Sequence, residues 1–154
     1  MLKTRIPPPL YALLAAYTMY WLDHHLPGLR LNLGPWAWLG WLLIAAGIAL
    51  DGVAIAGFVR ARTTVNPLRP ETARQLVVTG PYRFSRNPMY LGLLLCLGGW
   101  AVLLGSLSPP FVLIVFARLI VVLQIRPEEA LLESRFGQSY RDYCSSVGRW
   151  LGRT

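Results

Sequence analysis

Long apolar runs alternate with short polar stretches along this chain. Residues 36–59 form an apolar run longer than the about 20 residues that cross the hydrocarbon of a bilayer as a helix. A second apolar region, residues 89–125, is divided by Ser108-Pro109-Pro110, and a shorter run covers residues 10–22. The pattern predicts an all-α integral membrane bundle of about four transmembrane helices, over residues 10–25, 36–59, 89–107 and 109–125.

After residue 125 the pattern becomes amphipathic. Apolar positions recur at spacings of three and four, at Leu132, Phe136, Tyr140, Tyr143, Val147 and Trp150. This spacing predicts an amphipathic tail helix over residues 127–147. At about 100° per residue, Glu129 points along the apolar face, and Glu128 and Glu133 flank it. Carboxylates on a buried face need a cation or donors, which a bound organic cation would supply. The alternative is that Glu128 and Glu129 only stabilise the helix N-terminus.

The stretch 79–90 concentrates polar side chains between two apolar segments. It holds two Arg, two Tyr, a Gly80-Pro81 turn and an Asn87-Pro88 helix start, where Asn can cap the helix. Free backbone N–H groups at that start, with Arg86 beside them, are suited to bind an anion. The alternative is a capped transmembrane helix whose arginine contacts lipid phosphate. The stretch ends a loop, residues 60–88, which is too long for a simple connector and is predicted to be functional.

Composition and charge distribution support one membrane domain over residues 1–154. Apolar residues make up 55% and charged residues 14%, against about 45–50% and about 25% in globular proteins. The net charge of +8 could indicate nucleic acid, but Lys and Arg are segregated to alternate loops. This positive-inside pattern predicts that both termini and the loop 60–88 are cytoplasmic, and that the partner is the membrane rather than nucleic acid. No Cys and His residues have metal-ligand spacing, so no metal site is predicted.

Two charged residues fall inside predicted spans. Asp51 lies near the centre of the second span and Arg118 near the centre of the fourth. A charge there costs about 2.5–3.5 kcal/mol unless it faces a partner or a water-filled cavity. We therefore expect both side chains to face the bundle interior and to pair.

Two blocks of residues resemble a known family. Gly80-Pro81-Tyr82-Arg83, followed by Arg86-Asn87-Pro88-Met89-Tyr90, resembles the motif of the isoprenylcysteine carboxyl methyltransferase family, which has bacterial members and is related to the phospholipid N-methyltransferases. The tail pattern of that family is similar to Glu128-Glu129, Leu132, Phe136-Gly137, Tyr140 and Tyr143. The resemblance covers about residues 60–150 and depends on both blocks together.

The resemblance implies an enzyme of the bacterial inner membrane that uses S-adenosylmethionine as methyl donor, bound on the cytoplasmic side. The implied cofactor-binding residues are Arg74, Gln75, Leu76, Val77, Tyr82, Arg86, Asn87, Pro88, Met89 and Glu128. The chain departs from the eukaryotic members at two positions. They have His where this chain has Asn87, and a substrate-contacting Arg where it has Gln124.

The implied reaction is an in-line displacement, to which the enzyme contributes mainly proximity and orientation. The candidate catalytic residues are Arg126, Glu129 and Tyr90. A cation such as Arg126 or Arg118 would orient a carboxylate acceptor, whereas an amine or thiol acceptor would need a carboxylate as base. The ring of Tyr82 or Tyr90 could lie beside the sulfonium. The acceptor is expected to be lipophilic, because the site opens among the spans.

Two other functions compete with methyl transfer. The tail Tyr140-Arg141-Asp142-Tyr143-Cys144 also resembles the C-terminal end of sterol reductases, which would make the chain an NADPH-dependent membrane reductase. Against this, the middle motif here is Arg-Asn-Pro, which differs from that of those enzymes. The third hypothesis is a non-catalytic membrane adaptor, which leaves the inward carboxylate unexplained.

Overall fold

The computed structural model describes residues 6–26, 30–31, 34–60 and 76–152. Within these ranges the helices are α1 (Pro8–His25), α2 (Ala37–Arg60), α3 (Pro88–Leu104), α4 (Ser108–Ile120), α5 (Arg126–Phe136) and α6 (Gln138–Ser146). Short 3₁₀ turns at Gly34–Trp36 and Gly80–Arg83 precede α2 and α3. The described residues form no β-strand, so the predicted all-α membrane bundle is confirmed.

Within the described ranges, two stretches are long and apolar enough to cross a membrane, Gly34–Arg60 and Ser108–Phe136. The helix α3 is shorter but also apolar. The helix α1 is not among these, so the count of four spans stays a prediction.

Proline and glycine set several helix boundaries. Pro8, Pro88 and Pro109 lie in the first turns of α1, α3 and α4, where a missing N–H costs no hydrogen bond. Gly105 ends α3 in the left-handed conformation, with φ 67°, which glycine adopts without a steric penalty.

The main apolar core joins α1, α3 and α4. Its most deeply buried members are Met19, Leu97, Phe116, Ile120 and Ile125. The core continues to Tyr90 at the start of α3, so packing of the spans fixes the position of that ring.

The helices α2 and α3 approach each other closely through glycine. A Cβ on Gly47 would lie 2.5 Å from the carbonyl oxygen of Gly92, and Gly40 and Gly99 form a similar contact. Small residues allow such approach in membrane helix pairs. The Asp51 side chain points at Gly92, where an added Cβ would collide with its Oδ1 atom. This buried oxygen has no hydrogen-bond partner among the described residues.

The predicted pairing of Asp51 with Arg118 is wrong. Arg118 is exposed, on the same side of α4 as the exposed Ile114 and Val115, and no ion pair among the described residues joins it to Asp51. The physical reason is that hydropathy gives the depth of a residue in a span but not the side of the helix on which it lies. An arginine on such a face can extend its long side chain towards the membrane surface.

The tail differs from the single amphipathic helix predicted over residues 127–147. The helix α4 continues through a π-helical turn, Val121–Ile125, directly into α5. A break then occurs at Gly137, which has φ 52° and separates α5 from α6. Glycine tolerates positive φ, so the chain can turn there at low cost.

Candidate active site

The two polar blocks of the sequence meet in the structure. Arg86 lies just before α3, and Glu129 lies in the first turn of α5. The Arg86 Nη1 atom is 3.2 Å from the Glu129 Oε1 atom, and both side chains are mostly buried, with 14% and 17% exposed. The contact places the start of α3 beside the acidic turn of α5.

Arg149 joins the same carboxylate. Its Nε donates to Glu129 Oε1 at 3.0 Å and its Nη2 to Glu129 Oε2 at 2.7 Å, a bidentate geometry that favours a strong pair. Hydrogen bonding to Glu129 raises the pKa of the Arg149 guanidinium, and burial opposes this only in part. We call Arg86, Glu129 and Arg149 the polar cluster. The apolar pattern of the tail gives no signal for Arg149, which lies between the apolar positions Val147 and Trp150.

The segment after α6 folds back onto the residues before α3. The N–H of Arg86 donates to the carbonyl of Gly148 at 3.0 Å, and the N–H of Gly152 donates to the carbonyl of Phe84 at 3.1 Å. These backbone bonds hold Arg149 next to Asn87.

Asn87 occupies the N-cap position of α3 but does not cap it with its side chain. Its Nδ2 instead donates to the Arg149 carbonyl at 3.1 Å. The predicted side-chain cap is therefore wrong, because the folded-back tail supplies a competing acceptor. The first N–H groups of α3 consequently receive no hydrogen bond from an N-cap side chain.

The second acid, Glu128, contacts the first turn of α3. The Tyr90 hydroxyl donates to Glu128 Oε1 at 2.8 Å. Tyr90 is itself part of the apolar core, so the span packing positions this hydroxyl. Glu128 and Glu129 thus both point towards the start of α3, each towards a different residue.

Tyr82 lies in a second apolar cluster at the end of α2. Its ring meets Phe58 edge-on at 5.3 Å, and Ala54, Val77 and Met89 pack around it. The carbonyl of Tyr82 accepts a hydrogen bond from the Tyr143 hydroxyl at 2.7 Å. Burial, and then the negative charges that Tyr143, Glu128 and Asp51 can carry, raise the pKa of Tyr82, which keeps its phenol neutral.

Arg86 has donor capacity left after these contacts. Its Nη1 reaches Cys144 Sγ at 2.8 Å as well as Glu129. Its Nε is buried and finds no acceptor among the described residues. A buried N–H of a cation without an acceptor is costly, so this side chain is suited to receive an anionic ligand.

The structure brings most of the predicted site residues together but leaves others apart. It brings together Tyr82, Arg86, Asn87, Met89, Tyr90, Glu128 and Glu129 around the start of α3, with Pro88 buried in its first turn. Val77 packs on Tyr82, whereas Leu76 packs near Tyr140 and Tyr143. Arg126 is exposed, and within the described residues it makes no ion pair with the polar cluster. Arg74 and Gln75 lie outside the described residues. Among the described residues, no three His, Cys, Asp or Glu side chains are grouped to hold a metal ion.

Comparison with known proteins gives two informative relatives. The chain is 46% identical over 63 residues to an uncharacterized protein of Haemophilus influenzae, a match that covers 41% of the chain and 100% of that protein. It is 35% identical over 78 residues to a Delta(14)-sterol reductase of Mus musculus, a match that covers 49% of the chain but only 18% of the reductase. No solved structure is significantly similar to the chain.

The family comparison covers most of the chain. The family model described as phospholipid methyltransferase matches residues 36–139, which contain α2 to α5, the stretch 79–90 and the Glu128-Glu129 pair. The resemblance found in the sequence is confirmed by this match, and the chain belongs to the phospholipid methyltransferase family.

Proposed function

We propose that this membrane methyltransferase uses S-adenosylmethionine and transfers the methyl group to a lipophilic or membrane-delivered small acceptor. The observation that carries the proposal is the meeting of Arg86, Glu128 and Tyr90 at the start of α3. One place thereby offers a cation, a carboxylate and an aromatic ring. Family membership supports methyl transfer in general.

The residues present fit the charged groups of this cofactor. The Arg86 Nε has no acceptor among the described residues, and the start of α3 has no side-chain cap. Both features are suited to bind the carboxylate of the cofactor. Glu128 is suited to its ammonium group or to a ribose hydroxyl. The rings of Tyr90 and Tyr82 are suited to the sulfonium, because cations near aromatic faces gain about 0.5–2 kcal/mol.

When bound, the cofactor would supply an electrophilic methyl group, and the chain would bind, orient and shield the reactants. Glu129 is already paired with two guanidinium groups, so we do not assign it to take up a proton. Exposed Arg126 remains the candidate to orient a carboxylate acceptor. An amine or thiol acceptor would instead need a carboxylate base, for which Glu128 is the nearer candidate.

We place the site on the cytoplasmic face of a bacterial inner membrane. The support for this placement is the segregation of Lys and Arg to alternate loops, which follows the positive-inside rule. An acceptor dissolved in the bilayer would then reach the start of α3 from between the spans.

The test is calorimetry of S-adenosylmethionine and S-adenosylhomocysteine with the detergent-solubilised protein. We expect the wild type to bind both, and Glu128→Gln to weaken binding by about tenfold or more, because a charged contact is lost. Glu133→Gln is the matched control: this acid lies on the same helix but is exposed and pairs with Arg141. Absence of binding to the wild type would defeat the proposal.

A second candidate is an NADPH-dependent membrane reductase. It is favoured by the 35% identity to the mouse Delta(14)-sterol reductase, although only 18% of that protein is matched. The same calorimetry separates the two functions. Binding of NADPH together with no binding of S-adenosylhomocysteine would select the reductase.

A further inference from the structure

We propose that Arg149 is a positioning residue that keeps Arg86 available for the carboxylate of the cofactor. The proposal rests on the proposed function and deepens it. Arg149 would remove two internal competitors of the ligand, one with its guanidinium group and one with its backbone carbonyl.

The first competitor is Glu129. Two guanidinium groups share this one carboxylate, and Arg149 makes the better contact, with two N–H donors at 3.0 and 2.7 Å. Arg86 reaches only one oxygen, at 3.2 Å. Bidentate pairs are stronger and more directional than single contacts. Glu129 is therefore drawn towards Arg149, and Arg86 keeps charge that its internal partner does not fully neutralise.

The second competitor is the Asn87 side chain. An asparagine at the N-cap position ordinarily accepts hydrogen bonds from the N–H groups of the first helical turn. Here its Nδ2 donates to the Arg149 carbonyl at 3.1 Å, and its own N–H donates to Ser85 Oγ at 3.0 Å. The amide is thereby turned to the tail and does not cap the first turn of α3.

Both effects act at the same place. Arg86 directly precedes Asn87, and the buried Arg86 Nε has no acceptor among the described residues. A mostly buried cation beside an uncapped helix start is suited to an anion. Arg149 contributes by orienting these groups, and it need not touch the ligand.

The experiment compares two ligands on the full chain in detergent. S-Adenosylhomocysteine carries the amino-acid carboxylate, whereas 5′-methylthioadenosine lacks it. In Arg149→Gln, Glu129 would pair fully with Arg86, so we expect at least a tenfold loss of affinity for S-adenosylhomocysteine. Affinity for 5′-methylthioadenosine should stay within about twofold of wild type, because the adenosine contacts remain.

A double variant tests the competition directly. Adding Glu129→Gln to Arg149→Gln removes the carboxylate that captures Arg86, so most of the affinity for S-adenosylhomocysteine should return. Equal loss of both ligands in Arg149→Gln, or no recovery in the double variant, would show a merely structural role and overturn the inference.

Further outcomes keep the test decisive. If the wild type binds S-adenosylhomocysteine but not 5′-methylthioadenosine, the double variant is the test: recovered affinity for S-adenosylhomocysteine supports the inference, and no recovery overturns it. If Arg149→Gln does not fold, the single variant Glu129→Gln decides, because it removes the same competitor. It should bind S-adenosylhomocysteine at least as well as wild type, and weaker binding would overturn the inference. If the wild type binds neither ligand, the proposed function itself fails.

Discussion

The contact between α2 and α3 and the polar cluster are held together in opposite ways. In the helix pair, the backbones meet at Gly47 and Gly92 with no room for a side chain. In the polar cluster, long side chains meet through ions and hydrogen bonds, and one carboxylate serves two arginines. Helices in lipid gain little hydrophobic free energy when they associate, so close backbone packing must hold α2 against α3. The second region can lose a contact and re-pair, so changes there should affect ligand binding more than folding.

The largest effect on stability is expected at the close contact between α2 and α3. Gly47→Ala would place a Cβ 2.5 Å from the Gly92 carbonyl oxygen, so the helices must separate. We expect a loss of about 1–3 kcal/mol in the free energy of unfolding, as for other overpacked sites. Thermal unfolding in detergent measures it.

The matched control lies in the same helix. Gly52→Ala has no atom within 4 Å of the new Cβ and should be neutral or slightly stabilising, because alanine favours helix. Equal effects of the two changes would contradict the close-contact explanation.

An intermediate effect is expected at Tyr143, which joins the tail to the 3₁₀ turn. Tyr143→Phe removes the hydrogen bond to the Tyr82 carbonyl at 2.7 Å, which should cost about 1 kcal/mol of stability. Unfolding of both proteins in detergent at pH 7 measures this loss.

The same residue gives a pH dependence with a definite sign. Burial raises the pKa of Tyr143, and the charge of Arg86 opposes this only in part. The unfolded phenol therefore loses its proton first, near its ordinary pKa of about 10, and stability falls as pH rises above that value. Unfolding midpoints between pH 8 and pH 11 should fall less steeply in Tyr143→Phe. Identical slopes would show that this phenol does not contribute.

The smallest effect on folding is expected at the edge of the polar region. Tyr90→Phe keeps the ring in the apolar core but removes the donor to Glu128. We expect little change in unfolding and about a threefold to tenfold loss of affinity for S-adenosylhomocysteine, because Glu128 would be less well oriented. Tyr17→Phe, at an exposed ring of α1, is the control. If Tyr90→Phe lost much stability without a change in affinity, the expectation that changes in the polar region affect binding more than folding would be wrong.

The sequence predicted the features that depend on local pattern. Apolar runs predicted the helices, proline marked several of their starts, and the spacing placed Glu129 on the side of its helix that meets Arg86. The features it missed depend on three-dimensional packing. Arg149 follows α6 in an irregular segment, and its role arises from backbone bonds to residues far away in the chain. The Asp51–Arg118 pairing failed because the sequence showed their depth but not how the helices face each other.

One local signal is open to a second interpretation. Gly137 forms part of the Phe-Gly motif, and a glycine after an apolar face is also a common helix stop. The position four residues before Glu128, Gln124, lies in the π-helical turn, which no periodicity in the sequence indicates.

That turn restricts which changes of length the chain can tolerate. A π-helical turn accommodates one residue more than the α-helical path around it. Removing one residue from Val121–Ile125 would let the turn close into regular α-helix, so α5 would nearly keep its orientation. Removing two residues would exceed what the turn can absorb and would rotate α5 by about 100° relative to α4, so that Glu128 and Glu129 face away from Tyr90 and Arg86. Among related chains, we therefore expect single-residue deletions at this turn to be tolerated and longer ones to be absent.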